Sequence, residues 1–430
     1  MADKNRNPVS DVRKFPRREF VKIGGIASAV APVGKGLTRA AARDSDVIVI
    51  GAGASGCNTA WHLRQSNRSV LVLEAGPAAA SEASHAAAGF VAHWSGLQNK
   101  GWGRTEWQLE DYGIQFYTDL ARQCGRDIGF ARCGIAFIYT KPENWKLAQL
   151  NIQQARELGT NIEVLTETRA RKILPEIRFD TVAGILFDPD SIRVRAADAI
   201  PCLAEQSAKY GARFEYSTPA RAFLRDGDRI VGVRTDHGDL YAPSVVVAAG
   251  AWSRPLLGKA GADCPTTPVA EIRYTTRPLP GVRPNMPTLM FDEGFYIREE
   301  QGGLLIGGGD SPEEKDRQID PDNPPTAGRL PHGEVYRIRK HLHVIEGVMP
   351  IVEHAEIDQI AGGIPTYTSD KRFVADAVPN HPGLYVLSGC QEAGITHGPG
   401  LGRMIAELIT TGKTTWDQSR YRLTRFASEA

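Results

Sequence analysis

The sequence predicts an α/β fold, α+β over its whole length: a Rossmann-type dinucleotide-binding domain with a mixed-sheet domain inserted into it. Three observations predict this. Asp46 to Gly56, DVIVIGAGASG, is an apolar run entering a glycine loop. Ser69 to Leu73 is a second apolar run, and it ends on the acid Glu74. After a strand-rich middle, the segment from Leu384 to Leu408 returns to strand, glycine-rich turn and helix. Short continuous apolar runs bounded by turn residues are strands covered on both faces, as in a parallel sheet.

Taken in order, Val47 to Ile50 forms the first strand, and the helix after the glycine turn carries Ala60 and Leu63 on one face. Ser69 to Leu73 completes the start of a βαβ unit. From Gln108 to Asn161 the apolar spacing is helical, interrupted by the strand-like Gly134 to Thr140. A helix is expected from Ala196 to Tyr210, started or kinked by Pro201, which has no amide to give the helical ladder. Short strands follow at Ala212–Tyr216, Ala220–Leu224, Ile230–Thr235 and Ser244–Ala249. The turn pairs Asp226-Gly227 and His237-Gly238 separate three of them into a meander. Thr266 to about Ile360 is strand-rich and carries the glycine run Gly307-Gly308-Gly309. The dinucleotide domain is therefore expected at 44–130, 190–262 and 361–430, and the second domain at 131–189 and 263–360.

In the loop GAGASG, Gly51 permits the tight turn, Gly53 lets backbone approach a pyrophosphate, and Gly56 allows close helix–strand packing, with Ala54 and Ser55 completing the cradle. Phosphates then lie at the positive end of a helix. Glu74, followed by Ala75, stands eighteen residues beyond Gly56, placed to accept hydrogen bonds from an adenosine ribose. These features do not separate a nicotinamide dinucleotide from a flavin.

A chain of 430 residues buries a large core, and 51 Lys and Arg balance 50 Asp and Glu. That balance argues against nucleic acid as a partner. No apolar stretch reaches the roughly 18 to 20 residues of a transmembrane helix, so no stable membrane span is expected. The first 42 residues differ from the rest. A basic region ends in Pro16-Arg17-Arg18-Glu19-Phe20-Val21-Lys22, a mild apolar run follows from Ile23 to Val33, and Ala40-Ala41-Ala42 offers a cleavage site. This resembles a twin-arginine export signal, which implies passage through the twin-arginine translocase to a periplasmic or other extracytoplasmic location. The six cysteines show no metal-ligand spacing and no metal site is expected; Cys124 and Cys133 are the nearest pair, and buried free thiols are the expectation.

Beyond the loop, three further segments carry a resemblance: SEASHAAAGF (Ser81 to Phe90), STPARAFLRDGDRIVGVRT with VVVAAGAWSRPLL, and GLYVLSGCQEAGITHGPGLGRMIAEL. With these the sequence resembles the D-amino acid oxidase (DAO) superfamily of flavoproteins, in its glycine oxidase, sarcosine oxidase and D-amino acid dehydrogenase branch. The resemblance runs from Asp46 to Phe426. It implies a glutathione reductase-like FAD fold of the DAO type and non-covalent FAD. It further implies cofactor contacts at Ser84, His85, Ala88, Gly89, Ala220, Gly250, Gly389, Gly394, Ile395 and Thr396, and a helix amino terminus near Gly398 to Gly402 directed at the flavin.

Members of the family oxidise a carbon–nitrogen bond by hydride transfer to flavin N5, and water hydrolyses the imine. The resemblance implies that Tyr296, in FDEGFYIREE, binds the substrate carboxylate. The arginine that relatives use for that carboxylate is replaced by Pro365, and Glu392-Ala393-Gly394 stands in place of their G-H-G segment. Arg298 is the first candidate to replace the arginine, being two residues from Tyr296 on the same strand face. The competing explanation is a substrate that lacks a simple α-carboxylate or carries extra positive charge for Glu392 to meet. His85 is placed at the flavin ring, His93 is a structural partner as readily as a site residue, and core packing is the better reading for Trp94, Trp102 and Trp107. Gly363 stands where sarcosine oxidases have their flavin-attaching cysteine, and Cys390 reads as a packed thiol. The function expected is an exported amine or amino acid oxidoreductase, passing electrons to oxygen or to a membrane quinone or other carrier. Two rivals are an FAD-binding accessory protein without this chemistry and a nicotinamide-dependent dehydrogenase.

Overall fold

A computed structural model describes residues 43–95, 97, 101–308, 318–326, 343 and 345–427. The export signal expected in residues 1–42 lies outside the described residues, as does Gly309.

The first sheet has six strands in the order Val374–Ala377, Leu384–Ser388, Ser244–Val247, Val47–Ile50, Val70–Leu73, Arg213–Glu215. All neighbours are parallel except the edge strand Val374–Ala377, which runs antiparallel to Leu384–Ser388. Alternation along each strand divides its side chains between two cores, since successive residues point to opposite faces. Val47, Val49, Val70 and Val72 pack on the side of the helices Ala54–Gln65, Ala196–Lys209 and Gly394–Thr411. Ile48, Ile50, Leu71 and Leu73 pack on the other side, with Ile230 and Val233 of the meander. Both faces are covered, which is why the central strands Val47–Ile50 and Val70–Leu73 are uninterrupted apolar runs.

The second sheet has eight strands in the order Ile357–Gly363, Glu271–Thr276, Gly303–Gly308, Phe295–Glu300, Thr288–Phe291, Ile135–Tyr139, Gly184–Asp188, Glu163–Val164. Its pairs are antiparallel except Thr288–Phe291 with Ile135–Tyr139. Ile357–Gly363 runs across the boundary expected at 360/361, and residues Ala42–Ala430 form one compact unit. No helix among the described residues is long and apolar enough to cross a membrane.

Four local expectations are corrected. The third meander strand is Gly238–Tyr241; Ser244–Val247 belongs instead to the parallel sheet, pairing with Val47–Ile50. Pro201 does not start its helix, which runs from Ala196 to Lys209 with the proline inside, the position the kink alternative gave it. The C-terminal helix begins at Gly394, not near Gly398 to Gly402, and also contains a proline, Pro399. Its later glycines serve packing: a Cβ at Gly400 would meet Leu109, and one at Gly402 would meet the Asn58 backbone. Finally, Cys124 and Cys202 form a disulfide with Cα atoms 6.3 Å apart, inside the range such a bridge needs. Sequence proximity pointed to Cys133, but the bridge joins residues 78 apart that only the packing of two helices brings together.

Candidate active site

One cavity of about 890 Å³ runs from the glycine loop, past Ser81 to Phe90, to the second sheet and the start of the C-terminal helix. The glycine loop makes its floor at one end. Gly51 has φ +106°, and a Cβ at Gly56 would run into the Gly51 carbonyl oxygen, so turn and helix approach as closely as backbone allows. Gly53 caps the helix Ala54–Gln65, whose ladder begins with the Cys57 amide on the Gly53 carbonyl at 2.9 Å. The Ala54 amide donates to Ser84 Oγ at 2.9 Å. The amides of Ser55 and Gly56 precede the ladder, and the positive end of the helix is open to an anion there.

Glu74 lines the same end, its orientation fixed by two backbone donors: the Ala52 amide to Oε2 at 2.6 Å and the Gly76 amide to Oε1 at 2.7 Å. A carboxylate has about four acceptor positions, so two remain for a diol. Ala75, Ala88, Gly89, Ala220 and Gly250 line the cavity along its length. At the far end, Gly394, Ile395 and Thr396 line it as the first residues of a helix whose ladder starts with the His397 amide on the Ala393 carbonyl. Two helix amino termini, from opposite ends of the chain, thus border one elongated space. This cradle fits an FAD molecule: Glu74 for the ribose, the Gly51–Gly56 turn for the pyrophosphate, and Gly394–Thr396 for the flavin.

An aromatic wall closes the substrate end. Phe90 meets Trp94 edge-on at 5.3 Å and Tyr296 at 5.1 Å, and Trp94 meets Phe137 at 5.8 Å between ring centroids. Tyr296 lies in the cavity, and its phenol is pushed above the ordinary tyrosine range, first by burial and then by the Glu392 and Glu271 carboxylates. Tyr296, Gly307 and Arg273 stand side by side on three adjacent strands. A Cβ at Gly307 would run into the Tyr296 hydroxyl and lie 3.1 Å from the Arg273 Cβ, so the glycine lets the tyrosine reach across toward the arginine.

Several expected site residues sit elsewhere. Arg298 is buried outside the cavity, where it pairs with Glu300 and donates to the Ala88 and Glu299 carbonyls. Same-face spacing on the strand did place it near Tyr296, but a carboxylate two residues on consumes its charge. His85 is exposed and does not line the cavity; what it offers is its carbonyl, which accepts from Arg273 at 3.3 Å. Gly56 and Gly389 lie behind the lining. His93 is a structural partner, bonded through Nδ1 to Asp188 at 3.0 Å and stacked on Trp107. Trp94 and Trp102 are core residues that also touch the cavity. Cys390 lines it as a thiol whose pKa is raised by burial.

Arg273 is the cation the sequence did not offer. It lines the cavity and is held by the Ala86 carbonyl, which accepts from Nε at 2.8 Å. Its only sequence signal is position within the strand Glu271–Thr276; the register that sets it opposite Gly307 and Tyr296 appears only when the sheet is assembled.

Fold and site together define a dinucleotide-cradling oxidoreductase with a substrate chamber between two sheets. The comparisons agree: the family described as "DAO: FAD dependent oxidoreductase" matches residues 46–408, and the chain belongs to it. Its members are FAD-dependent, which sets aside the nicotinamide reading. The chain is 28% identical over 385 residues to 4-methylaminobutanoate oxidase (formaldehyde-forming) of Paenarthrobacter nicotinovorans, covering 88% of this chain and 45% of that one. It is 26% identical over 384 residues to mitochondrial dimethylglycine dehydrogenase of Rattus norvegicus, covering 87% and 44%. It therefore spans just under half the length of these two relatives. The crystal structure of glycine oxidase from Geobacillus kaustophilus superposes with a TM-score of 0.76 at 26% identity, covering 89% of this chain and 98% of that one.

Proposed function

We propose that this protein is an exported oxidoreductase that removes a hydride from the carbon beside an amine nitrogen, in an amino acid or secondary amine. The observation that carries this reading is the single cavity joining the Glu74 cradle to the Tyr296–Arg273 chamber. Bound FAD, held non-covalently, supplies the two-electron acceptor. The protein's own residues bind and orient. Arg273 presents a guanidinium suited to a carboxylate or other polar group of the substrate. Tyr296, kept protonated, donates a hydrogen bond from the same side. The wall of Phe90, Trp94 and Phe137 excludes water and presses the apolar part of the substrate into place. Relatives named as oxidases or dehydrogenases of methylated amines and of glycine support this substrate class. Oxygen, or a membrane quinone or other carrier, is the proposed final acceptor.

Export rests on the Arg17-Arg18 signal, and the Cys124–Cys202 disulfide supports it, because such bonds persist in oxidising compartments. The test is anaerobic: the purified yellow protein is mixed with D- and L-amino acids, N-methyl amino acids and polyamines, and loss of flavin absorbance is followed. Bleaching by a member supports the reading. An FAD-loaded protein that no amine bleaches favours the accessory-protein alternative.

A further inference from the structure

Glu392 lies at the substrate end of the cavity, in the turn between the strand Leu384–Ser388 and the C-terminal helix. Gln391 and Glu392 both have positive φ, +51° and +64°, a left-handed conformation that residues with a Cβ rarely adopt. Gln391 anchors the turn. It is buried, its amide donates to the Thr366 carbonyl at 3.0 Å, and its Nε2 donates to Thr368 Oγ1 at 3.0 Å. Glu392 is what the turn delivers: a carboxylate lining the chamber with Arg273, Tyr296 and Glu271. Among the described residues no lysine or arginine forms an ion pair with it. Its charge is felt by both nearby phenols, opposing the ionisation of Tyr296 and of Tyr367 after burial itself.

Glu392 is an exposed carboxylate on the chamber lining, placed to attract a cation that a ligand brings there. The reacting nitrogen must be unprotonated to release hydride from its neighbouring carbon, so a carboxylate works against that nitrogen and in favour of a second, charged one. We propose that Glu392 is a specificity-determining residue that receives a cationic nitrogen of the substrate other than the one oxidised. The substrate class is then an amine with a further positive charge, an N-alkylated diamine or basic amino acid, in preference to a plain zwitterionic α-amino acid. This inference rests on the reading of the cavity as an amine-oxidising site.

The experiment compares anaerobic flavin reduction by N-methyl-1,4-diaminobutane and by N-methylglycine in the wild type, Glu392→Gln and Glu392→Gly, with flavin content and Tm measured for each. The expected wild type is reduced at least tenfold more efficiently by the diamine. Both variants lower that preference tenfold or more, and Glu392→Gly, which suits the left-handed backbone, keeps or raises Tm. A wild type that prefers N-methylglycine overturns the inference, as does a preference unchanged in both variants. In either of those cases the flavin is still reduced and the broader reading stands. A flavin that neither these nor any other amine reduces overturns both.

Discussion

At the residue scale, the site is built from charges whose positions are fixed by backbone. Glu74 is held by the Ala52 and Gly76 amides and lines the cavity, so Glu74→Ala removes both the proposed ribose acceptor and a tie across the glycine turn. We expect a lower molar ratio of FAD to protein in Glu74→Ala, read from the absorbance of the purified protein; full occupancy would place the ribose elsewhere. In the proposed function Tyr296 acts on the substrate, not the cofactor. Tyr296→Phe removes one hydrogen bond, of the order of 1 kcal/mol, so kcat/KM falls about fivefold while FAD content stays as in the wild type. A variant that instead loses flavin would take Tyr296 out of the substrate chamber. The sequence disclosed Tyr296 and Glu392 through their motifs. It misdirected attention to Arg298, because strand spacing gives the face of a residue but not the neighbour, Glu300, that uses up its charge.

At the scale of elements, the runs from Val47 to Ile50 and from Val70 to Leu73 were legible because each is apolar throughout and bounded by turn residues. The order of strands in the eight-stranded sheet was not, since pairing between distant strands leaves no local periodicity. Arg273 was hidden for the same reason. A titrating pair ties the segment after Phe90–Val91 to the eight-stranded sheet: His93 on that segment, and Asp188 at the end of Gly184–Asp188. Burial opposes the charge on His93, but the Asp188 hydrogen bond and charge, with Glu110 and Asp111 adding, raise its pKa above the ordinary 6.5. Burial likewise opposes the charge on Asp188, yet the hydrogen bond and charge of His93, with Ser191, bring it below 3.8. The His93 contribution is complete below 6.5 and is lost as pH rises through the raised value; the Asp188 contribution is present above 3.8 and is lost as pH falls through the lowered one. Comparison of denaturant midpoints should therefore show His93→Gln trailing the wild type most between about pH 4 and 6.5, and the gap narrowing at alkaline pH. A gap independent of pH would mean that the pair is not charged.

At the scale of the whole molecule, the fold brings the two ends of the described chain to one cavity. The helix Ala54–Gln65 packs along the C-terminal helix, and both start at the cavity. The Cys124–Cys202 bridge ties the helix Arg104–Gln123 to Ala196–Lys209 beneath it. Closing a loop of this size constrains the unfolded chain by about 4 kcal/mol in the chain-entropy account. Cys202→Ser should accordingly lower Tm by several degrees in non-reducing buffer, whereas equal melting of variant and wild type would show that the bridge is not formed. The central claim is that one FAD, gripped by both ends of the chain, takes electrons from an amine bound against Tyr296 and Arg273. Its most direct test is the absorption spectrum of the purified protein before and after anaerobic addition of the amine panel. A flavin spectrum that bleaches with at least one amine is expected; a colourless protein that takes up no added FAD would rule the claim out.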